Sequence, residues 1–124
     1  MTHAIEEYYA TVDSGRLAEA TALLAEQVEF AMVLPTGTTL DSGRGAMLGY
    51  LRGRPDVDRK HHVLRVAVDG DLQFAYGDVT ERGGTVTTGH FAAAMHLGPD
   101  GLIDRYQVSF SAAFALLPNG GDPR

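Results

Sequence analysis

"KHHVLRVAVDGDLQFAY", residues 60–76, opens on two adjacent histidines, alternates in character, turns at Asp69-Gly70 and alternates again. Asp-Gly between alternating runs is a strong hairpin signal, because a type I′ turn needs positive φ at its central residues. Neighbouring residues on a strand point to opposite faces, so His61 and His62 cannot share a role. Leu64, Val66 and Val68 keep step with His62, which places His62 on the inner face. His61 keeps step with Arg65 and is expected outside. On the next strand, Tyr76 and Asp78 follow Phe74 at the same period and are expected to face inward beside His62.

Downstream, "RGG" at 82–84 turns the chain into a long strand from about Thr85 to Leu97. "GPDG" turns it again into a last strand from about Leu102 to Leu116. Upstream, Ile5, Tyr8, Tyr9 and Val12 fall at i, i+3, i+4 and i+7, the stripe of an amphipathic helix. "DSG" at 13–15 stops that helix and starts a second, with Leu17, Ala20 and Leu24 on its apolar side. "VEFAMVL", 28–34, is β-prone and ends at Pro35, and Gly37 with "DSG" at 41–43 punctuates a loop. Met47, Tyr50 and Leu51 mark a third, short helix before the polar linker "GRPDVDRK". The order α-α-β-α-β-β-β-β, with three helices against a curved antiparallel sheet, is an α+β fold. Residues 1–117 read as one domain and 118–124, "PNGGDPR", as a frayed tail.

Composition sets the bounds. A chain of 124 residues is one domain long and buries roughly two-thirds of its unfolded surface. The absence of cysteine excludes a disulfide framework, a thiol nucleophile and thiolate metal sites. Ten Lys and Arg against 16 Asp and Glu leave a formal charge of −6, so neither nucleic acid nor an anionic membrane is an expected partner. No stretch reads as a signal peptide or approaches the roughly 20 apolar residues of a membrane span. A cytoplasmic location is expected.

The opening "YYATVDSGRLAEATALLAEQVEF", the helix start "SGRGAM" and the hairpin "PDGLI" resemble the nuclear transport factor 2-like superfamily. Within it, residues 4–114 are most similar to the SnoaL-like branch, relatives of ketosteroid isomerases and polyketide cyclases. The resemblance implies a cone-shaped α+β barrel whose helices close an apolar pocket, and pairing of two copies sheet on sheet. It is weaker for activity, since this superfold hosts isomerases, dehydratases, cyclases, epoxide hydrolases and non-enzymes. Laid on the ketosteroid isomerases, the oxyanion-hole tyrosine falls on Tyr8, the general base on Met32 and the protonated acid on Ala93. That chemistry needs a base and a neutral acid, and both carboxyls are missing. The acid that ends the last strand of SnoaL-type cyclases falls on Val108 or Ser111, while Asp104 lies near the turn.

The candidate catalytic residues are therefore His62, His90, Tyr8 and Asp78, with a histidine acting as acid or base near a carboxylate. Phe91, Ala93 and Met95 count inward from "PDGLI", which turns His90 and His96 outward. A bulge near Gly89 would reverse His90. Met32, Tyr76, Phe91, Met95, Tyr106, Val108 and Phe110 are the expected pocket lining. Arg52, Arg54, Arg59 and Lys60 read as a solvated linker. "GRG" at 43–45 follows no βαβ strand, and no metal-ligand spacing is present. No cofactor is expected. Two roles remain: proton transfer on a small apolar oxygenated molecule, or binding of such a molecule by a protein that has lost the family carboxylates.

Overall fold

The computed structural model describes residues 2–117; the expected C-terminal tail lies outside them. Helix α1 (Ala4–Asp13) buries Ile5, Tyr8, Tyr9 and Val12, the stripe read from its sequence. Its free N-terminal donors find two acceptors. Glu6 Oε1 accepts from the His3 backbone N–H at 3.2 Å. The buried Gln73 Oε1, from the sheet, accepts from Ile5 N–H at 3.1 Å. Gly15, at φ +82°, then turns the chain where a side chain would be strained. Helix α2 is short (Leu17–Thr21), and Leu24 begins strand β1 (Leu24–Leu34) rather than ending the helix.

The segment read as a loop after Pro35 is a strand, β2 (Gly37–Ser42), antiparallel to β1. All six of its residues are exposed, so no apolar period marks it. Helix α3 (Arg44–Arg52) buries Met47 and Leu51. Four strands follow: β3 (Lys60–Asp69), β4 (Leu72–Glu81), β5 (Val86–Leu97) and β6 (Ile103–Ser111). They join β1 and β2 in one six-stranded sheet in the order β2-β1-β6-β5-β4-β3. Every pair is antiparallel except β1 with β6, which is parallel. The three helices and the curved sheet make the expected α+β cone. No helix among the described residues is long and apolar enough to cross a membrane.

The inner face is set by alternation. Val28, Phe30 and Met32 on β1, Tyr106 and Val108 on β6, and Phe91, Ala93 and Met95 on β5 are all buried. Met32 and Ala93 both pair with Val108, so the two positions matched to the missing carboxyls flank Val108 on either side as apolar wall. On β4 the inner set is Gln73, Ala75, Gly77 and Val79; Phe74, Tyr76 and Asp78 face out. The register of β3 explains why. Val63 pairs with Gly77 and Arg65 with Tyr76, leaving Leu64 as an extra residue in a bulge. The period of Val66 and Val68, counted back across that bulge, shifts by one residue and lands on His61, not on His62. His62 is exposed, and the inward placements of His62, Tyr76 and Asp78 are corrected.

Gly77 permits this geometry. A Cβ there would overlap the His62 carbonyl oxygen and meet the Phe91 ring at 2.9 Å. Glycine inside a strand commonly marks such a backbone approach. Gly77→Ala is expected to destabilise the fold by about 2 kcal/mol, read from urea unfolding. An unchanged midpoint would show that the bulge does not depend on Gly77.

Candidate functional site

Beneath the helices lies a cavity of about 670 Å³ with a mainly apolar wall. Exposed lining residues Pro35, Gly53, Pro55 and Ala112 mark its mouth, so it opens to solvent rather than being fully enclosed. Met32, Val12, Leu51, Val79 and Phe110 supply apolar surface, and Tyr8, Tyr9, Tyr106 and His61 supply polar atoms.

His61 starts β3 and Asp13 ends α1, and the two meet at the cavity wall. Asp13 Oδ2 accepts a short hydrogen bond from the His61 backbone N–H. Asp13 Oδ1 lies 2.8 Å from His61 Nδ1. The side chains are only 3% and 10% exposed. A carboxylate accepts only, so Nδ1 carries the proton and Nε2 is the basic nitrogen of the neutral ring. Nε2 has no partner among the described residues. Rings fix the imidazole's plane: Tyr9 at 4.7 Å, Phe91 at 5.3 Å and Phe110 at 6.3 Å between centroids. Lys60, from the presumed solvated linker, donates to the Asp13 carbonyl at 2.8 Å and caps α1.

Three tyrosines stand beside the dyad. Tyr9 and Tyr106 share a short hydroxyl–hydroxyl hydrogen bond, and Tyr8 packs edge-on to Tyr106 at 5.5 Å. The Tyr8 hydroxyl is buried with no hydrogen-bond partner among the described residues. Burial pushes the Tyr8, Tyr9 and Tyr106 phenols well above their ordinary range, because the phenolate would be desolvated. All three are therefore neutral donors at physiological pH.

The sequence candidates divide. Tyr8, Met32, Tyr106 and Phe110 line the cavity. Phe91, Met95 and Val108 are buried in the core beneath it. His62, His90, Asp78 and Tyr76 are on the outer face. There His62 Nε2 bonds Thr80 Oγ1 at 2.8 Å, His90 Nδ1 bonds Asp78 Oδ1 at 2.8 Å, and the Tyr76 hydroxyl accepts from Leu116 N–H. A bulge does occur near Gly89, at Thr88, but His90 keeps its outward face. His96 is also outside, and its pKa is raised by hydrogen bonds to Asp104 and then Asp71. Among the described residues no group of three or more His, Asp or Glu side chains is placed to hold a metal. The His61–Asp13 dyad escaped the sequence reading; the "DSG" carboxylate at a helix end and the midstrand Gly77 opposite β3 were its available signals.

Comparison with known proteins gives the same frame. The model of the SnoaL-like domain matches residues 5–106. A search of curated proteins found no match. Among solved structures, a candidate ketosteroid isomerase of Kribbella flavida is similar at 25% identity and TM-score 0.69, covering 90% of this chain and 78% of that one. The epoxide hydrolase/cyclase-like enzyme SalBIII, of pyran ring formation in polyether salinomycin, has TM-score 0.70 at 17% identity, covering 87% and 88%. An LEH-like epoxide hydrolase of Mycobacterium tuberculosis has TM-score 0.70 at 16% identity, covering 87% and 80%. The last two likenesses concern the fold alone.

The raised phenols give a pH dependence. Their folded pKa values lie above the unfolded value of 10.0, so their contribution is complete below pH 10 and is lost as pH rises above it. Alkaline titration at 295 nm should show three phenolates appearing together with unfolding. Their ionisation in a still-folded protein would contradict the burial.

Proposed function

The chain belongs to the SnoaL-like domain family, and from that premise we propose that its cavity binds a small apolar oxygenated molecule and moves a proton on it without a cofactor. One observation carries this reading: an imidazole oriented by a buried carboxylate, on the wall of a mainly apolar cavity beside the Tyr8 hydroxyl, with neither its second nitrogen nor that hydroxyl partnered among the described residues. His61 Nε2 takes the proton from a carbon α to a carbonyl. The C–H electron pair moves into the enolate, whose oxygen accepts from the Tyr8 O–H. The imidazolium so formed is stabilised by Asp13 and returns the proton to the same or a conjugated carbon. Asp13 is a positioning residue that also favours the charged ring. His61 thus takes the place in the chemistry that Met32 cannot fill.

Family relatives named above carry isomerase, cyclase and epoxide hydrolase descriptions, and a carbon-acid or ring-forming proton transfer is common chemistry for such sites. The test is deuterium incorporation into 1-tetralone in D2O, followed by mass spectrometry. The native protein should exceed buffer, His61→Gln should lose about 100-fold or more, and His62→Gln should behave like the native protein. Exchange no faster than buffer would overturn the catalytic reading; binding of 1-tetralone without exchange would favour the second role, an accessory ligand-binding protein, to which the apolar Met32 and Ala93 already point.

We propose also that two copies pair through the outer face of the sheet. Leu72 and Phe74 are 37% and 38% exposed there, next to outward Ala92 and Ala94. A contiguous apolar patch is normally covered, and a two-fold pair is the commonest closed assembly. Sedimentation at micromolar concentration should give a dimer of the 13.3 kDa chain; a monomer refutes it. A cytoplasmic location belongs to the same proposal.

A further inference from the structure

Arg54 follows α3, in the segment that reads as a solvated linker, yet it lines the cavity. Its Nε is buried and has no hydrogen-bond partner among the described residues. Among the described residues no carboxylate lies within ion-pair distance of it. Its neighbour Arg59 is engaged by Glu81 at 3.6 Å, and that pair stands at the same cavity wall. A partly buried guanidinium without a contacting carboxylate is costly. Burial first and then the nearby Arg59 charge work against its protonated form, and the Asp13 carboxylate, which His61 already engages, offsets them only in part. The second unpartnered buried polar atom of the described residues, the Tyr8 hydroxyl, lines the same cavity and lies close enough to feel the Arg54 charge. Two donors, both without acceptors among the described residues, thus line one apolar space.

We infer that the ligand of this cavity is an apolar molecule bearing a carboxylate, which the Arg54 guanidinium holds while its carbonyl oxygen is left to Tyr8. The inference rests on the proposed ligand-binding role and adds the substrate class: an oxo acid with an apolar body. The guanidinium fork matches the two carboxylate oxygens in geometry and neutralises their charge. The apolar wall of Met32, Val12 and Phe110 takes the body of the molecule. A neutral isostere gains the same wall and leaves Arg54 unpaired.

The test compares 2-naphthoate with 2-naphthamide by isothermal titration calorimetry on the full chain. The native protein should bind the acid about tenfold tighter than the amide or more. Arg54→Gln should erase the preference, and Arg54→Lys, which keeps the charge and loses the fork, should fall between. Circular dichroism and thermal melting check that each variant is folded, and the preference of the native protein alone tests the inference if a variant is not. Equal affinity for the two compounds, a preference that survives Arg54→Gln, or binding of neither at millimolar concentration each overturns it. Naphthoate has no exchangeable carbon acid, so this result is independent of deuterium exchange into 1-tetralone, and either reading can fail while the other stands.

Discussion

Asp13 ends a helix and begins a site. Its two oxygens hold the backbone N–H and the ring of one residue, His61, so that the last turn of α1 is fastened to the first residues of β3. β3 is the edge strand farthest from β1 in the sheet, and α1 contributes Tyr8, Tyr9 and Val12 to the cavity roof. The clip therefore sets the distance between roof and wall. Lys60 strengthens it by meeting the carbonyl of the same aspartate, and Gln73 anchors the other end of the helix. The pair sits nearly dry, where hydrogen bonds are strong and an unpaired carboxylate would be costly. One contact thus fastens helix to sheet and orients the imidazole.

Much of the architecture was readable from local patterns. The stripe of α1, a hairpin turning at Gly70 and the inward set Phe91, Ala93 and Met95 all follow from period and turn chemistry; the turn itself is Gly70-Asp71, one residue later than the Asp69-Gly70 expected, and of its two residues Gly70 alone has positive φ. β2 was not readable, since a wholly exposed edge strand carries no apolar alternation. Leu24 misled because its apolar character suits a helix end as well as a strand start. The parallel pairing of β1 with β6 is a property of chain ends meeting in space, which no local window contains.

The site was partly readable. Tyr8, Met32, Tyr106 and Phe110 sit where the spacing and the resemblance put them. The histidine did not, by one residue. A bulge at Leu64 opposite Gly77 adds a residue to β3, so a run that alternates perfectly on paper changes face midway. Asp13 was equally hidden: in sequence it is part of a helix stop, and its partner is 48 residues away. Arg54 read as solvated because its neighbours are polar, and only the fold shows that the segment after α3 passes over the cavity mouth. Each miss concerns a polar residue whose meaning depends on a partner distant in sequence.

The parallel seam between β1 and β6 has a consequence in time. During synthesis β1 and β2 emerge early and can form a hairpin, but the inner edge of β1 has no partner until residues 103–111 are made. Val28, Phe30 and Met32 then wait with one strand edge open, a template for pairing with other chains. Closing the seam joins segments some seventy residues apart, a loop whose entropy opposes early formation. The last strand is thus the keystone of the cone, and a nascent or truncated chain lacking it exposes its most apolar strand to its neighbours.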